Sequence, residues 1–385
     1  NQIMIQFHPS RSAALEQLQA FVDNHLSLYA RDRNFDFGPD QRTNTSCLSP
    51  YVTHGILSEN EIIKLSLKKF SYTKIEKFIQ EVLWRTYWKG WLERRPSVWT
   101  DFINDLKYLK PDYESDKNLK AAMNGNTDID CFNDWVHELK ETGYLHNHTR
   151  MWFSSIWIFT LNLPWQLGAE FFMKYLKDGD PASNTLSWRW TAGVQTKGKH
   201  YLAQEWNIKK FTNGRYEKIK LNENATPVVS DKEYIQIDPD FTNSQITNDQ
   251  TLIIFDNQLS FEHSDFKDTE FKNIMLIQNT NLTRTIELDD ELVKFKRGLI
   301  EDQQQRLQDH IETEIRDISY LKNLGLTDKV ALYPGVGENL DYCLHNQINL
   351  SFLYRRLDQT TNPYCKKGFF NFKNYIPKII SGING

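Results

Sequence analysis

Three short stretches bring together side chains able to do chemistry. In the run E-V-L-W-R-T-Y-W (81–88), Glu81, Trp84, Arg85 and Trp88 recur at spacings of three and four. On a helix that puts a carboxylate, two indoles and a guanidinium on one face. Alone, the stripe reads as a core edge with a surface ion pair; equally it reads as an acid kept partly desolvated and aimed at a flat heterocycle. In G-Y-L-H-N-H-T-R-M-W (143–152), Asn147, Arg150 and Met151 share a face. They offer a donor and acceptor pair for a ring edge, a fork for carboxylate or phosphate, and a soft contact for a ring. His146 and His148 are two residues apart, face differently, and read as simple hydrogen-bonding histidines.

The densest stretch is D-G-D-P-A-S-N-T-L-S-W-R-W (178–190), followed by Lys197, Lys199, Lys209, Lys210 and Arg215. Asp178, Asp180 and Asn184 suit a metal site, a polar ring edge or, for Asp180, a helix cap. Two close indoles followed by basic residues are what a surface needs to stack an unpaired base and hold its phosphates. Residues 174–220 hold 10 basic and 4 acidic side chains. By charge alone this is a polyanion-binding face or a solvated surface.

These residues need a scaffold, and the sequence supplies two kinds. All 11 tryptophans of the 385 residues lie between Trp84 and Trp206, so the two halves of the chain differ in kind. Residues 1–225 carry 29 basic and 26 acidic side chains, net +3; residues 226–385 carry 17 and 24, net −7. From Ser10 to about Phe211 the apolar period is helical, with helices predicted over Arg11–Tyr29, Glu59–Phe70, Lys74–Glu93, Ile129–Glu141, Asn147–Thr160 and Trp165–Leu176. A polar stretch over 223–250 reads as a linker. Beyond it, strands at Thr251–Asp256, Asn273–Gln278, Lys329–Tyr333 and Leu350–Tyr354 alternate with a long helix predicted over Asp289–Leu324, stopped at Gly325, and a helix near Leu340–Gln347. That alternation implies a mostly parallel sheet. The expected architecture is therefore a helical domain over 1–222, the linker, and a smaller Rossmann-like α/β domain over 251–385. Gly335-x-Gly337 lacks the third glycine of a dinucleotide fingerprint and reads as a turn.

A hydrophobic content of 39% with a net charge of −4 describes a globular chain, neither disordered nor fibrous. No apolar run reaches membrane-spanning length and no signal-peptide pattern opens the sequence, so the expectation is an intracellular, cytoplasmic protein without membrane contact. Cys47, Cys131, Cys343 and Cys365 are scattered and read as free thiols; no metal site is expected.

Five motifs then acquire a common meaning. T-S-C-L-S-P-Y (45–51), E-V-L-W-R (81–85), G-Y-L-H-N-H-T-R-M (143–151), D-G-D-P-A-S-N-T-L-S-W-R-W (178–190) and N-I-K-K-F-T-N-G-R (207–215) resemble, in order and spacing, the helical flavin-binding domain of the DNA photolyase/cryptochrome family. The resemblance implies FAD as cofactor. Thr45, Ser46, Cys47, Leu48 and Ser49 would hold its diphosphate, helped by Tyr29, through N–H groups at a helix start. Arg150 and Asp178 would pair beside the ring system, Asp180 would meet its edge or the ribitol, and Asn184 would face N5. Glu81, Arg85 and Asn147 would complete the cofactor contacts.

By the same resemblance, Glu81, Trp84, Asn147, Met151 and Trp190 would receive a cyclobutane pyrimidine dimer. Trp84 and Trp190 would be the walls, Glu81 and Asn147 the hydrogen-bonding groups. The implied reaction is light-driven: an electron passes from reduced FAD to the dimer, the ring splits, and the electron returns. Trp188 and Trp165 match the first two members of the family's electron relay, and Tyr113 falls near the third position. His148, Arg189, Lys197, Lys199 and Arg215 are the expected DNA contacts, His148 standing where many relatives carry a phosphate-binding arginine. The implied partner is damaged DNA, single- or double-stranded, and the expected state a monomer. The family usually places an α/β antenna domain first; here the α/β segment follows, and N-P-Y-C-K-K-G-F-F-N-F-K-N-Y-I-P (362–377) looks like the piece leading out of such domains. The expected order is thus permuted, the acidic α/β domain not binding DNA itself and a second chromophore left unassigned. The rival class is a cryptochrome-like photoreceptor that signals without repair.

Overall fold

A computed structural model describes residues 4–383. The chain forms two compact units, each assembled from separated stretches. Among the described residues, one is built from 4–6, Asn24–Cys47 and Ser97–Tyr234; the other from Phe7–Asp23, Leu48–Pro96 and 235–383. The final switch between them, Tyr234 to Ile235, falls inside the polar stretch 223–250, where neither helix nor strand forms.

The first unit is helical. Its main helices are Pro96–Asp112, Lys117–Asn124, Asp130–Thr142, Asn147–Ser155, Trp165–Tyr175, Pro181–Ala192 and Glu205–Phe211. Their ends are written in the sequence. Asp116 caps Lys117–Asn124 by accepting the Leu119 N–H at 2.8 Å, and Gly125, Gly143 and Gly193 stop three helices with φ of 65°, 69° and 90°. The predicted helix Asn147–Thr160 widens into a π turn over Ile156–Thr160. Trp135, Trp152, Trp157, Trp188, Phe132 and Phe153 fill the interior, each less than about 2% exposed.

In the second unit the helices Glu59–Lys69 and Tyr72–Glu93 accompany a five-stranded parallel sheet, β1 Thr251–Phe255, β2 Asn273–Gln278, β3 Thr313–Asp317, β4 Lys329–Leu332 and β5 Phe352–Leu353. The strand order is β3-β2-β1-β4-β5, with Thr251 opposite both Asn273 and Lys329. All five residues of β1 are buried, as a central strand covered on both faces requires. Ile253, Phe255, Met275, Ile277, Ile318 and Ala331 share one core. Ser58 and Glu61 start Glu59–Lys69 with a reciprocal capping box.

One expectation needs correction. The helix predicted over Asp289–Leu324 is a helix over Asp290–Leu307 followed by the edge strand β3 and a 3₁₀ turn at Ile318–Asn323, so Gly325 ends no α-helix. Ile311, Ile315 and Ile318 recur at four and three residues and so imitate a helical face. On an edge strand with polar flanks, alternation is too weak to compete. Gly335-x-Gly337 is a turn, Gly335 having φ of 80° and the Val336 N–H donating to Glu93 Oε1 at 2.8 Å.

Candidate functional site

In the helical unit the helix Asn147–Ser155 carries the second motif, and its start is fixed by His146. The His148 N–H donates to His146 Nδ1 at 3.0 Å, and His146 Nε2 lies 2.9 Å from the Arg33 carbonyl, which sets the proton on Nε2. Burial pushes the His146 pKa down to about 3, so this cap is a neutral imidazole. From the first turn Arg150 reaches Asp178 with two parallel bonds, 2.9 and 2.7 Å, while its Nε donates to the Leu145 carbonyl at 2.8 Å. Burial opposes the charge, yet the Asp178 carboxylate holds Arg150 firmly protonated. Asn147 is exposed and Met151 half-buried on the outer side of the same helix.

Behind this helix start sits a buried ionic cluster that no local spacing announces. Asp36 accepts from Arg42, Thr149 and the Gly38 N–H, and Arg42 Nη2 reaches Glu138 at 2.6 Å. Despite its burial, Asp36 is held well below the usual carboxylate range by Arg42. Glu138 is pushed up to about 7 by burial. The cluster joins Arg42, whose carbonyl accepts the Cys47 thiol at 3.8 Å, to the helix that carries Arg150. Cys47 has a left-handed φ of 51° and is buried beside half-buried Thr45 and Ser46; Tyr29 is buried as well.

The helix Pro181–Ala192 carries the third motif. Asp180 accepts the Ser183 N–H at 2.8 Å and so caps the helix, while Asn184 Nδ2 donates to the Ala169 carbonyl at 2.9 Å. Trp188 is buried edge-on to Phe172 at 5.0 Å and Trp157 at 6.1 Å. Trp165 stacks instead on Phe102 at 5.7 Å, and Tyr113 makes no ring contact among the described residues. Trp190 is 37% exposed, its ring resting on Tyr201.

The expected DNA contacts divide. Lys199 is exposed, and Lys197 is exposed and paired with Glu233. Arg189 is buried, donating to Gln195 Oε1 and the Val194 carbonyl, because it closes the loop after its helix. Arg215 is exposed but donates through Nη2 to the Asp36 carbonyl at 2.7 Å, and half-buried His148 lies between Trp152 and Phe211 with Nδ1 on the Asn34 carbonyl. Arg189 is thus withdrawn into the fold, while Arg215 and His148 keep accessible surface.

In the second unit, Leu48 is buried and Ser49 opens the short helix Ser49–Thr53. Arg85 donates to Thr53 Oγ1 at 2.8 Å and approaches the Ser49 carbonyl at 3.5 Å, tying the Tyr72–Glu93 helix to that start. Glu81 is half-buried. Trp84 is half-buried and stacks face to face on Phe369, 3.7 Å between centroids. No signal in the sequence near Trp84 points to Phe369.

The donor set fits an FAD. Within the helical unit, Arg150 with Asp178 makes a fixed polar pair of the kind that can border a flavin ring. In the same unit, Trp188 Nε1 and Thr185 Oγ1 are buried polar atoms without a hydrogen-bond partner in the protein, which leaves them open to a bound group or to water. Among the described residues no cluster of His, Cys, Asp and Glu suits a metal ion, and no helix is long and apolar enough to cross a membrane.

Residues 78–218 match the family model described as the FAD binding domain of DNA photolyase. The chain is 29% identical over 192 residues to a deoxyribodipyrimidine photo-lyase of Agrobacterium fabrum, covering 48% of this chain and 38% of that protein. It is 30% identical over 194 residues to the enzyme of the same name from Buchnera aphidicola subsp. Baizongia pistaciae, covering 49% and 39%. Among solved structures, a bacterial class III photolyase from Agrobacterium tumefaciens is similar with a TM-score of 0.46 and 28% identity, over 53% of this chain and 43% of that one. The chain thus spans about two fifths of the length of the curated relatives it matches.

Proposed function

The chain belongs to the photolyase/cryptochrome family through its FAD-binding domain, and from that premise we propose that it repairs cyclobutane pyrimidine dimers in DNA under light. The observation that carries this reading is how two helices of one unit divide their residues. Asn147–Ser155 and Pro181–Ala192 bury Thr149, Asn184 and Trp188 while leaving Asn147 and Trp190 exposed and Met151 half-exposed. Buried polar groups suit a resident cofactor, and exposed amide, thioether and indole groups suit a substrate that comes and goes.

Bound, fully reduced FAD supplies the chemistry: one electron lent to the dimer on absorption of light and recovered after the ring opens. The protein's part is binding and positioning. Thr45, Ser46, Cys47, Leu48 and Ser49 hold the diphosphate, with Tyr29 and Arg85 shaping that loop and helix start. Arg150, fixed by Asp178, and Asn184 face the ring system, and Asp180, engaged as a cap, orders the helix that carries Asn184. Trp84 and Trp190 are apolar walls for a flipped-out dimer, and Glu81 and Asn147 meet its polar edges. Photolyases are among the enzymes that take their target bases out of the stack, at a cost of roughly a few kcal/mol that is least at a damaged site. Trp188 and Trp165 would relay electrons from an external reductant such as a thiol toward oxidised cofactor. The parallel sheet serves as an antenna-like part.

The deciding experiment is HPLC of a thymine-dimer oligonucleotide after blue or near-UV illumination with the fully reduced holoprotein. Restoration of thymines is expected; no restoration on single- or double-stranded substrate overturns the proposal. The burial of Arg189, and the engagement of His148 and Arg215 by backbone carbonyls, favour a second reading, a photoreceptor that signals without repair. That reading predicts a photoreducible flavin and an unrepaired oligonucleotide in the same assay.

A further inference from the structure

The net charge of −7 over residues 226–385 conceals its opposite at the end of the sequence. Residues 359–385 contain Lys366, Lys367, Lys373 and Lys378 and no Asp or Glu, leaving 13 basic against 24 acidic side chains in 226–358. This basic segment lies along the Tyr72–Glu93 helix within one unit. Tyr87 Oη donates to the Lys367 carbonyl at 2.8 Å, and Arg95 donates to the carbonyls of Cys365 and Lys366 at 3.3 and 2.5 Å. Gly90 makes the approach possible, since a Cβ there would overlap Cys365 Sγ. Tyr364 and Tyr375 stack at 4.0 Å and close the loop on itself.

The side chains of this anchored loop point two ways. Phe369 goes inward onto Trp84. Lys366, Lys367 and Gly368 are exposed, and Phe370 is 83% exposed, an arrangement that burial of the loop's own core does not explain. Neither lysine forms an ion pair among the described residues; Asp238, the exposed carboxylate near Lys366, is engaged by Arg94 at 2.7 Å. Beside the loop, Trp84, Trp88 and Trp91 are half-exposed on the helix, with the Arg95 guanidinium 4.3 Å above Trp91. Cations interleaved with aromatic faces match the alternation of phosphate and base along an unpaired strand.

We propose that the loop Lys366–Phe370, together with the indole stripe of the Tyr72–Glu93 helix, is a binding surface for single-stranded DNA: Lys366 and Lys367 neutralise phosphates and Phe370 stacks on a base. The stack on Trp84 makes Phe369 a positioning residue for the same surface. This rests on the reading of the protein as a DNA enzyme. It also reassigns the end of the α/β part from bystander to contact.

The test is fluorescence anisotropy of a labelled, undamaged oligothymidine with the holoprotein across a salt series. Lys366→Gln/Lys367→Gln is expected to weaken binding about tenfold at low salt and to flatten the slope of log K against log salt by about 1.4, that is, about 0.7 for each single-strand phosphate no longer neutralised. Phe370→Ser is expected to weaken binding about fivefold with the slope unchanged. Both variants alter exposed side chains, and an unchanged flavin spectrum and melting temperature certify the fold. Wild-type protein that binds while both variants match it in affinity and slope overturns the surface alone. Wild-type protein that does not bind the oligonucleotide overturns the surface together with the DNA reading on which it rests.

Discussion

Gly168 lies so close to Trp188 that a Cβ at that position would overlap two carbons of the indole. No other residue lets the Trp165–Tyr175 helix receive this ring, and Trp188 cannot retreat, being walled by Phe172, Trp157 and Phe153. Gly168→Ala is therefore expected to cost about 1–3 kcal/mol of stability through overpacking and to slow photoreduction of oxidised flavin at least tenfold by displacing Trp188. Denaturant unfolding and flavin bleaching under blue light with an external thiol report the two effects. Trp188→Phe should slow photoreduction as much while leaving repair by chemically reduced protein within about twofold. A Gly168→Ala protein that photoreduces at the wild-type rate would break the link.

The Arg150–Asp178 pair makes a sharper demand than charge alone. Arg150→Lys keeps the cation and loses the two-pronged fit. The purified variant should carry at most about a tenth of the wild-type flavin, read from the ratio of visible to ultraviolet absorbance. Arg150→Ala, which strands a buried carboxylate, should in addition lose about 3–5 kcal/mol of stability. Full flavin content in the lysine variant would remove the pair from the cofactor's support.

Acid should unfold this protein early. His146, facing Asp36, Arg42 and His148, and His54, facing Lys296, Asp256 and Arg85, are both held neutral by burial. On unfolding each regains a pKa near 6.5. As pH falls below that value the unfolded chain binds protons the folded one refuses, and stability drops, for His146 down to about pH 3. Glu138 acts in the opposite sense, since its pKa rises on folding from 4.5 to about 7, so acidification across that window favours the folded state. His148 and His263, lowered by burial, act with the two histidines, and Glu93 and Asp302, raised by burial, act with Glu138; with four histidines against three carboxyls the melting temperature should fall from pH 7 to pH 5. His146→Asn, which keeps a helix cap but cannot titrate, should shrink the fall; Glu138→Gln should deepen it. The reverse ordering would refute the assignment.

The sequence announces what is local. The starts at Arg11 and Glu59 and strands β1 and β2 were legible because helical periodicity and short buried apolar runs act over a few residues. The motifs holding Arg150, Asp178, Asn184 and Trp188 were legible for the same reason. What escaped depends on partners far apart in the chain. Arg42 meets Glu138 across 96 residues, and Trp84 meets Phe369 from near the opposite end of the chain. Neither pairing leaves a periodic trace. Arg189 escaped differently: a guanidinium inside a basic stretch looks like a surface cation until its carbonyl acceptor is known.

The interleaving of the two units sets the order of events during synthesis. Residues 7–23 and 48–96 are synthesised before the helical unit's 97–234, yet the rest of their own unit begins only at Ile235. The Tyr72–Glu93 helix must therefore wait, with its indoles uncovered, while the helical unit completes itself from residues 97–234. A chain severed in the polar stretch 223–250 would leave that helix waiting permanently. Expression of residues 1–222 alone should thus yield an aggregating fragment, and the missing part is best supplied as a separate polypeptide that completes the second unit by association.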